Sequence, residues 1–184
     1  MSSLRNNNLP LVSTIIPCRN EEKFIGQCLD SIIVNDYPKE KLEILIIDGL
    51  SEDKTRTIIE NLKFKIGNSN IKLLDNPKKF TPAALNIGVK NAKGEIIIRM
   101  DAHARYKKDY ISKCVKYLQE YKADNVGGIW ITIPRDNSII GKSIAFVLSS
   151  SFGVGNAYYR VSGYKKPKEA VSYTHLTLPT IYSV

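Results

Sequence analysis

The sequence predicts an α/β domain with a mostly parallel central sheet flanked by helices. Three observations predict it. Short apolar runs alternate along the chain with stretches whose apolar residues recur at helical spacing. The run Ile96-Ile97-Ile98 has almost no polar relief, as expected of a strand covered on both faces. Three of the runs also end the same way, in Pro17-Cys18-Arg19-Asn20-Glu21, Asp48-Gly49-Leu50-Ser51 and Asp101-Ala102-His103. Carboxylates therefore collect beyond strand C-termini, where open α/β sheets gather ligands.

Taken in order, Val12 to Pro17 reads as a first strand, ended by a proline that cannot donate to a ladder. A polar loop follows, in which Asn20 suits a helix N-cap, with Glu21 and Glu22 at the positive end of the dipole. Ile25, Cys28, Leu29 and Ile32 form the sheet-facing stripe of that helix. Glu43 to Ile47 is a second strand delivering Asp48. Ser51 or Asp53 is expected to cap the next helix, whose stripe is Ile58, Ile59, Leu62 and Ile66. Residues 67–70 are a turn cluster and Ile71 to Leu74 a third strand. Lys78 and Lys79 lie in a basic loop before Thr81, an expected cap with Pro82 in the first turn. The small residues Ala83, Ala84 and Gly88 let this helix lie close to the sheet. The strand through Ile96–Ile98 is expected at the sheet centre. Ile111, Cys114, Val115 and Leu118 mark a further amphipathic helix. Val126 to Ile133 reads as a strand interrupted by Gly127-Gly128, and Ser138 to Gly155 as a buried helix followed by a loop.

Composition narrows the function. The 184 residues suffice for one domain with a core. Three cysteines without a CxxC argue against zinc and for reduced core thiols in a cytoplasmic protein. Lys+Arg 27 against Asp+Glu 18 gives +9, but the basic residues are scattered and no aromatic-basic repeat accompanies them. A solvated lysine-rich surface explains the charge, and nucleic acid is not expected as a partner. No leader-like or membrane-spanning run is visible. Residues 1–10 read as a flexible arm and residues 11–170 as the domain. Residues 171–184 carry neither Lys, Arg, Asp nor Glu, follow neither period, and read as a non-native tail.

Asp101 and His103, two apart in extended chain, project to one side and can converge on one ligand. An oxygen donor beside a nitrogen donor suits Mn2+ or Mg2+ holding a phosphate. No G-x-G-x-x-G follows the first strand and no P-loop motif is present, which removes the two commonest phosphate cradles.

From about Leu11 to Arg160 the chain resembles the family 2 inverting glycosyltransferases, most closely the succinoglycan-biosynthesis type of glucosyltransferase. The matching pieces are residues 16–21 (Ile-Pro-Cys-Arg-Asn-Glu), 47–55 (Ile-Asp-Gly-Leu-Ser-Glu-Asp-Lys-Thr), 83–88 (Ala-Ala-Leu-Asn-Ile-Gly) and 99–104 (Arg-Met-Asp-Ala-His-Ala). Their joint order is specific where each alone is weak. The resemblance implies a truncated nucleotide-diphospho-sugar transferase fold of the GT-A, Rossmann-like kind. It also implies a sugar transfer from a UDP-sugar or similar donor to a glycan or lipid-linked acceptor in bacterial exopolysaccharide synthesis. The full-length parent is then expected at the inner face of the plasma membrane. Donor-binding roles are implied for Pro17, Arg19, Glu21, Asp48, Ser51, Lys79, Asn86 and Asp101, with Asp48 accepting from the base imide. Asp101 and His103 are the implied ligands of Mn2+ or Mg2+, His103 standing where most of the family has an aspartate. The family's general base belongs to a later acidic motif, whereas Glu169 is the only acid after Asp136. The base and the acceptor half are therefore expected to be missing. A nucleotide-binding or interaction module without transferase activity is the alternative reading.

Overall fold

The computed structural model describes residues 9–66, 70–128, 131–134, 137–150 and 153. What the sequence suggests for residues 1–8, 67–69 and 171–184 falls outside the described residues. Two compact units are present, divided between Val115 and Lys116.

The first unit alternates strand and helix: β1 (Val12–Cys18), α1 (Ile25–Ile33), a 3-10 turn (Lys39–Lys41), β2 (Leu42–Asp48), α2 (Thr55–Ile66), β3 (Ile71–Asp75), α3 (Thr81–Asn91) and β4 (Ile96–Arg99). The strands form one parallel sheet in the order β3-β2-β1-β4. The β1/β2 ladder runs one residue past the proline, bringing Cys18 opposite Asp48. The path steps from β1 to β2 and β3 on one side and returns to place β4 on the other. That reversal leaves a crevice at the strand C-termini between β1 and β4.

Both faces of the sheet are covered. Val12 and Ile16 of β1 and Leu42, Ile44 and Ile46 of β2 pack with Ile25, Cys28, Leu29 and Ile32 of α1 and with Ile59 of α2. The alternate positions Ile15, Leu45 and Ile47 pack with Ala84 and Leu85 of α3. This is why β1 and β2 read as continuous apolar runs. A Cβ on Gly88 would stand 2.4 Å from Ile15 Cγ2, so α3 approaches β1 as closely as its small residues allow. One polar cluster is built into the apolar layers. Glu43 accepts from Ser13 Oγ (2.6 Å), Lys72 Nζ (2.7 Å) and the Lys93 N–H (3.0 Å), while Ser13 Oγ accepts from the Gly94 N–H (2.8 Å). Burial alone would raise the Glu43 pKa, but these donors bring it below its ordinary value.

Several local expectations need correction. Asn20 does not cap α1: Phe24 holds the cap position, and Asn20 sits at φ 54° and accepts from the Glu52 N–H instead. Thr81 is the first residue of α3 rather than its cap, which is Phe80. β4 is an edge strand of the described sheet, not a central one. Of its isoleucines only Ile98 is buried, and Ile97 is 44% exposed.

α4 (Tyr110–Glu120) buries Ile111, Cys114 and Val115. In the second unit, no strand forms over the described residues among 126–133, and Ile131 and Ile133 are exposed. α5 (Ile139–Leu148) is capped by Ser138, whose Oγ accepts from the Gly141 N–H. It is not the buried helix that its apolar sequence suggests: Ala145 is its buried residue, and Ile139, Ile140 and Phe146 are largely exposed. All three cysteines are free thiols and buried, Cys28 and Cys114 on the helical stripes as expected and Cys18 at the end of β1 rather than in the polar loop.

Candidate functional site

A cleft of about 400 Å3 opens at the strand C-termini of the first unit. Every strand of the sheet contributes to it. The end of β1 brings Pro17, the turn after it Arg19 and Glu21, and Gly49 follows directly on β2. The loop after β3 brings Asn76 and Lys79, and the end of β4 brings Arg99, Asp101 and His103. The sequence-predicted residues Pro17, Arg19, Glu21, Lys79, Asp101 and His103 are thus brought together.

Asp48, Ser51 and Asn86 do not line this cleft. Asp48 is wholly buried, and its carboxylate is fully engaged. It accepts from Arg56 Nη1 at 2.7 Å, from the Ser51 N–H at 3.0 Å and from Ser51 Oγ, with Cys18 Sγ 3.7 Å away. Arg56 also reaches Asp75 at 2.7 Å, so one guanidinium ties the ends of β2 and β3 together. Buried beside the Asp48 carboxylate, the Cys18 thiol is held far above its ordinary pKa, burial being the larger cause.

Asp48 and Ser51 brace the loops that make the cleft wall. Asn20 N–H donates to Ser51 Oγ (2.9 Å), Glu21 N–H to Thr55 Oγ1 (2.7 Å) and Glu22 N–H to Asp53 Oδ2 (3.1 Å). In return, Glu52 N–H donates to Asn20 Oδ1 (2.9 Å) and Lys54 N–H to Glu22 Oε2 (3.1 Å). The loops after β1 and β2 are therefore cross-stitched. Asn20, Leu50 and Lys79, all in loops at the strand C-termini, take left-handed backbone with φ between 54° and 59°. Backbone of this kind is held only where its surroundings dictate it.

The loop from Asp101 to Tyr106 is fastened to α1. Tyr106 Oη accepts from the Asp101 N–H at 2.6 Å, and Cys28 Sγ lies 3.5 Å from the Asp101 carbonyl oxygen. Ser31 Oγ accepts from the Tyr106 N–H (3.1 Å), and Gln27 Oε1 accepts from Arg105. Burial, with Asp101 next to it, pushes the Cys28 thiol up to about 12, so this thiol acts as a neutral donor. Asp101 also pairs with Arg99 Nη2 at 3.3 Å, and His103 Nδ1 lies 3.2 Å from Glu21 Oε1.

Asp101 and His103 can hold a hard or borderline divalent cation, one through oxygen and the other through nitrogen. Among the described residues no group of three or more His, Cys, Asp or Glu stands close enough to cage an ion. Two protein donors with the rest from a phosphorylated ligand is the usual arrangement for Mg2+ on a nucleotide, and the donors present fit it.

Sequence reasoning missed Gly49, Asn76 and Arg99 as cleft residues. Arg99 carries a readable signal, since it stands two before Asp101 and shares its side of the strand. Asn76 follows a strand end directly. It is 2% exposed, its side-chain amide donates to the Phe80 carbonyl (3.0 Å), and its Oδ1 is buried with no hydrogen-bond partner among the described residues.

Comparison with known proteins returns a consistent picture. The model of the family described as Glycosyl transferase family 2 matches residues 13–178. A Methanococcus voltae protein is 38% identical over 160 residues, spanning 83% of this chain and 49% of its own length. It is named dolichyl N-acetyl-alpha-D-glucosaminyl phosphate 3-beta-D-2,3-diacetamido-2,3-dideoxy-beta-D-glucuronosyltransferase. The succinoglycan biosynthesis protein ExoA of Rhizobium meliloti is 32% identical over 148 residues, 79% of this chain and 43% of its own. Among solved structures, the mannosyltransferase PcManGT of Pyrobaculum calidifontis, in complex with GDP-Man and Mn2+, superposes with a TM-score of 0.61. It is 30% identical, over 71% of this chain and 38% of its own. S. aureus TarS with UDP-GlcNAc shares the fold at a TM-score of 0.57 and 24% identity, over 68% of this chain and 38% of its own. The chain spans about half the length, or less, of the relatives it matches.

Proposed function

The chain belongs to glycosyl transferase family 2, and on that premise we propose that its cleft binds the nucleoside diphosphate of a sugar donor for transfer to a glycan or lipid-linked acceptor. One observation carries the reading: every strand of a GT-A-type parallel sheet ends at one polar cleft, which holds an Asp-x-His pair and three basic side chains, Arg19, Lys79 and Arg99. The relatives' names support it, with UDP-GlcNAc, GDP-Man and a lipid-linked acceptor among them. A UDP-sugar is the donor we favour. Because a glucuronosyltransferase and ExoA both align with this chain, the succinoglycan type is one reading within the family, and exopolysaccharide is the product class we favour.

Within this reading the residues divide the work. Pro17, Arg19, Glu21 and the Asn76 edge flank nucleoside and diphosphate. Lys79 offers a cation to the phosphates, and Asp48 and Ser51 act from behind the wall by holding its loops, while Asn86 of α3 stands outside the cleft lining. Asp101 and His103 are the ligands for Mn2+, which supplies the positive charge a departing nucleoside diphosphate needs. We further propose that the transfer inverts configuration and that the protein works at the cytoplasmic face of a membrane. Among the described residues no helix is long and apolar enough to cross one.

Calorimetry with UDP and Mn2+ tests the donor reading. Heat of binding that saturates at one UDP per chain is expected, and no heat from a folded sample would overturn it. His103→Asp should improve binding supported by Mg2+ relative to Mn2+, because a carboxylate is the harder ligand. An unchanged ratio between the metals removes His103 from the ligand set.

A further inference from the structure

We propose that Arg99 is a phosphate-binding residue of the donor site, its pairing with Asp101 giving way to the diphosphate with or without a cation on Asp101. The proposal rests on the donor reading and adds a residue to it. Arg99 is the last residue of β4, and its guanidinium lies in the cleft wall, 55% exposed. Two residues on, Asp101 faces the same cleft, and the two side chains pair at 3.3 Å.

The charges in the wall single out Arg99. The cleft is lined by three cations, Arg19, Lys79 and Arg99, and two carboxylates, Glu21 and Asp101. Glu52 lies 3.8 Å from Arg19 and 4.0 Å from Lys79, so these two share an exposed carboxylate that no cation site requires. Glu21 stands against His103. Arg99, in contrast, pairs with the carboxylate that we assign to the divalent ion. Once Asp101 turns its oxygens to a cation, the guanidinium loses that partner and meets a second positive charge beside it. A diphosphate in the same cleft relieves both. The planar fork of arginine matches phosphate oxygens two at a time, which an ammonium does not. Without a cation, Arg99 still places a fixed positive charge at the phosphate position, so part of the diphosphate affinity is independent of metal.

Wild type, Arg99→Gln and Arg99→Lys are titrated calorimetrically with UDP and with uridine, each in Mn2+ and in EDTA. Arg99→Gln is expected to weaken UDP about tenfold in both media, the worth of a charge-assisted contact, and to leave uridine unchanged. Arg99→Lys should recover only part of the loss. Loss confined to Mn2+ would show that Arg99 merely orients Asp101 and would overturn the proposal. UDP bound as tightly as by wild type, or UDP and uridine weakened equally, would overturn it too, the second by showing a collapse of the cleft. If wild type itself bound uridine and UDP equally in both media, the donor reading would fail first and the proposal with it.

Discussion

Replacing Asp48 by asparagine tests whether this carboxylate is a brace or a ligand contact. Asp48 has no exposed surface and accepts from Arg56 at 2.7 Å, the Ser51 N–H at 3.0 Å and Ser51 Oγ. An amide keeps the shape but loses the charge and turns an NH2 group towards a donor. One charge-assisted bond is worth about 1.5–3 kcal/mol, and breaking a fully buried pair costs about 3–5 kcal/mol. The upper figure does not apply, because the Arg56 side chain is 39% exposed and keeps Asp75. A loss of about 2–3 kcal/mol is therefore expected. With a urea slope of roughly 1–2 kcal/mol per M, the unfolding midpoint should fall by about 1–3 M. UDP titrated into the folded variant at low temperature should bind within about threefold of wild type, a margin of roughly 0.6 kcal/mol. The reasoning is refuted if the midpoint stays where it is while UDP affinity collapses. The carboxylate would then be spending its oxygens on the nucleotide rather than on Arg56 and Ser51.

Further substitutions probe the scaffold. Gly88→Ala puts a methyl 2.4 Å from Ile15 Cγ2 and should cost about 1–3 kcal/mol as α3 lifts from the sheet; an unchanged melting temperature contradicts that packing. Glu43→Gln should flatten the acid limb of stability. The folded carboxyl is depressed by its donors, so it stabilises above its unfolded pKa, and that contribution is lost as pH falls through the folded value. Urea midpoints measured from about pH 5 down to pH 3 should fall more steeply for wild type, and parallel curves would refute the assignment. Tyr106→Phe leaves the Asp101 N–H without its 2.6 Å partner. It should weaken Mn2+-supported UDP binding several-fold, by about 1 kcal/mol, with uridine unaffected; equal loss of both ligands would indicate general loosening instead.

The sheet was legible because its signals are redundant. Each strand of β1 to β3 is followed by a helix whose stripe repeats at helical spacing, so pattern and connection agree. Helix starts were less legible. Asn20 has the chemistry of a cap, but its side chain bonds to the neighbouring loop, a contact 32 residues away that no local rule sees. β4 misled for a related reason. Its isoleucine run fits a strand buried on both faces, yet Ile97 is 44% exposed, because a run of apolar residues reports composition and not the neighbours that cover it. The same holds for α5, whose apolar sequence lies largely uncovered in the described residues.

The site divides along the same line. That a residue at a strand end lines the cleft could be read directly for Pro17, Glu21, Asp101 and His103. The position of Asp48 outside the lining could not, because Arg56 eight residues on and Ser51 engage its oxygens. The consequence is a cleft with two unlike walls. On the β2 side the loops are stitched by five hydrogen bonds beside the Asp48–Arg56 ion pair, so that wall keeps its shape without ligand. On the β4 side, Arg99, Asp101 and His103 form pairs with one another and with Glu21 that a bound cation and phosphate would exchange for better ones. Selection of the nucleoside should therefore reside in the stiff wall, and response to metal and diphosphate in the other. On this view, uridine affinity should depend on substitutions at Asp48 and Arg56 only through stability, while those at Arg99, His103 and Tyr106 should change the advantage of UDP over uridine and leave the nucleoside term alone.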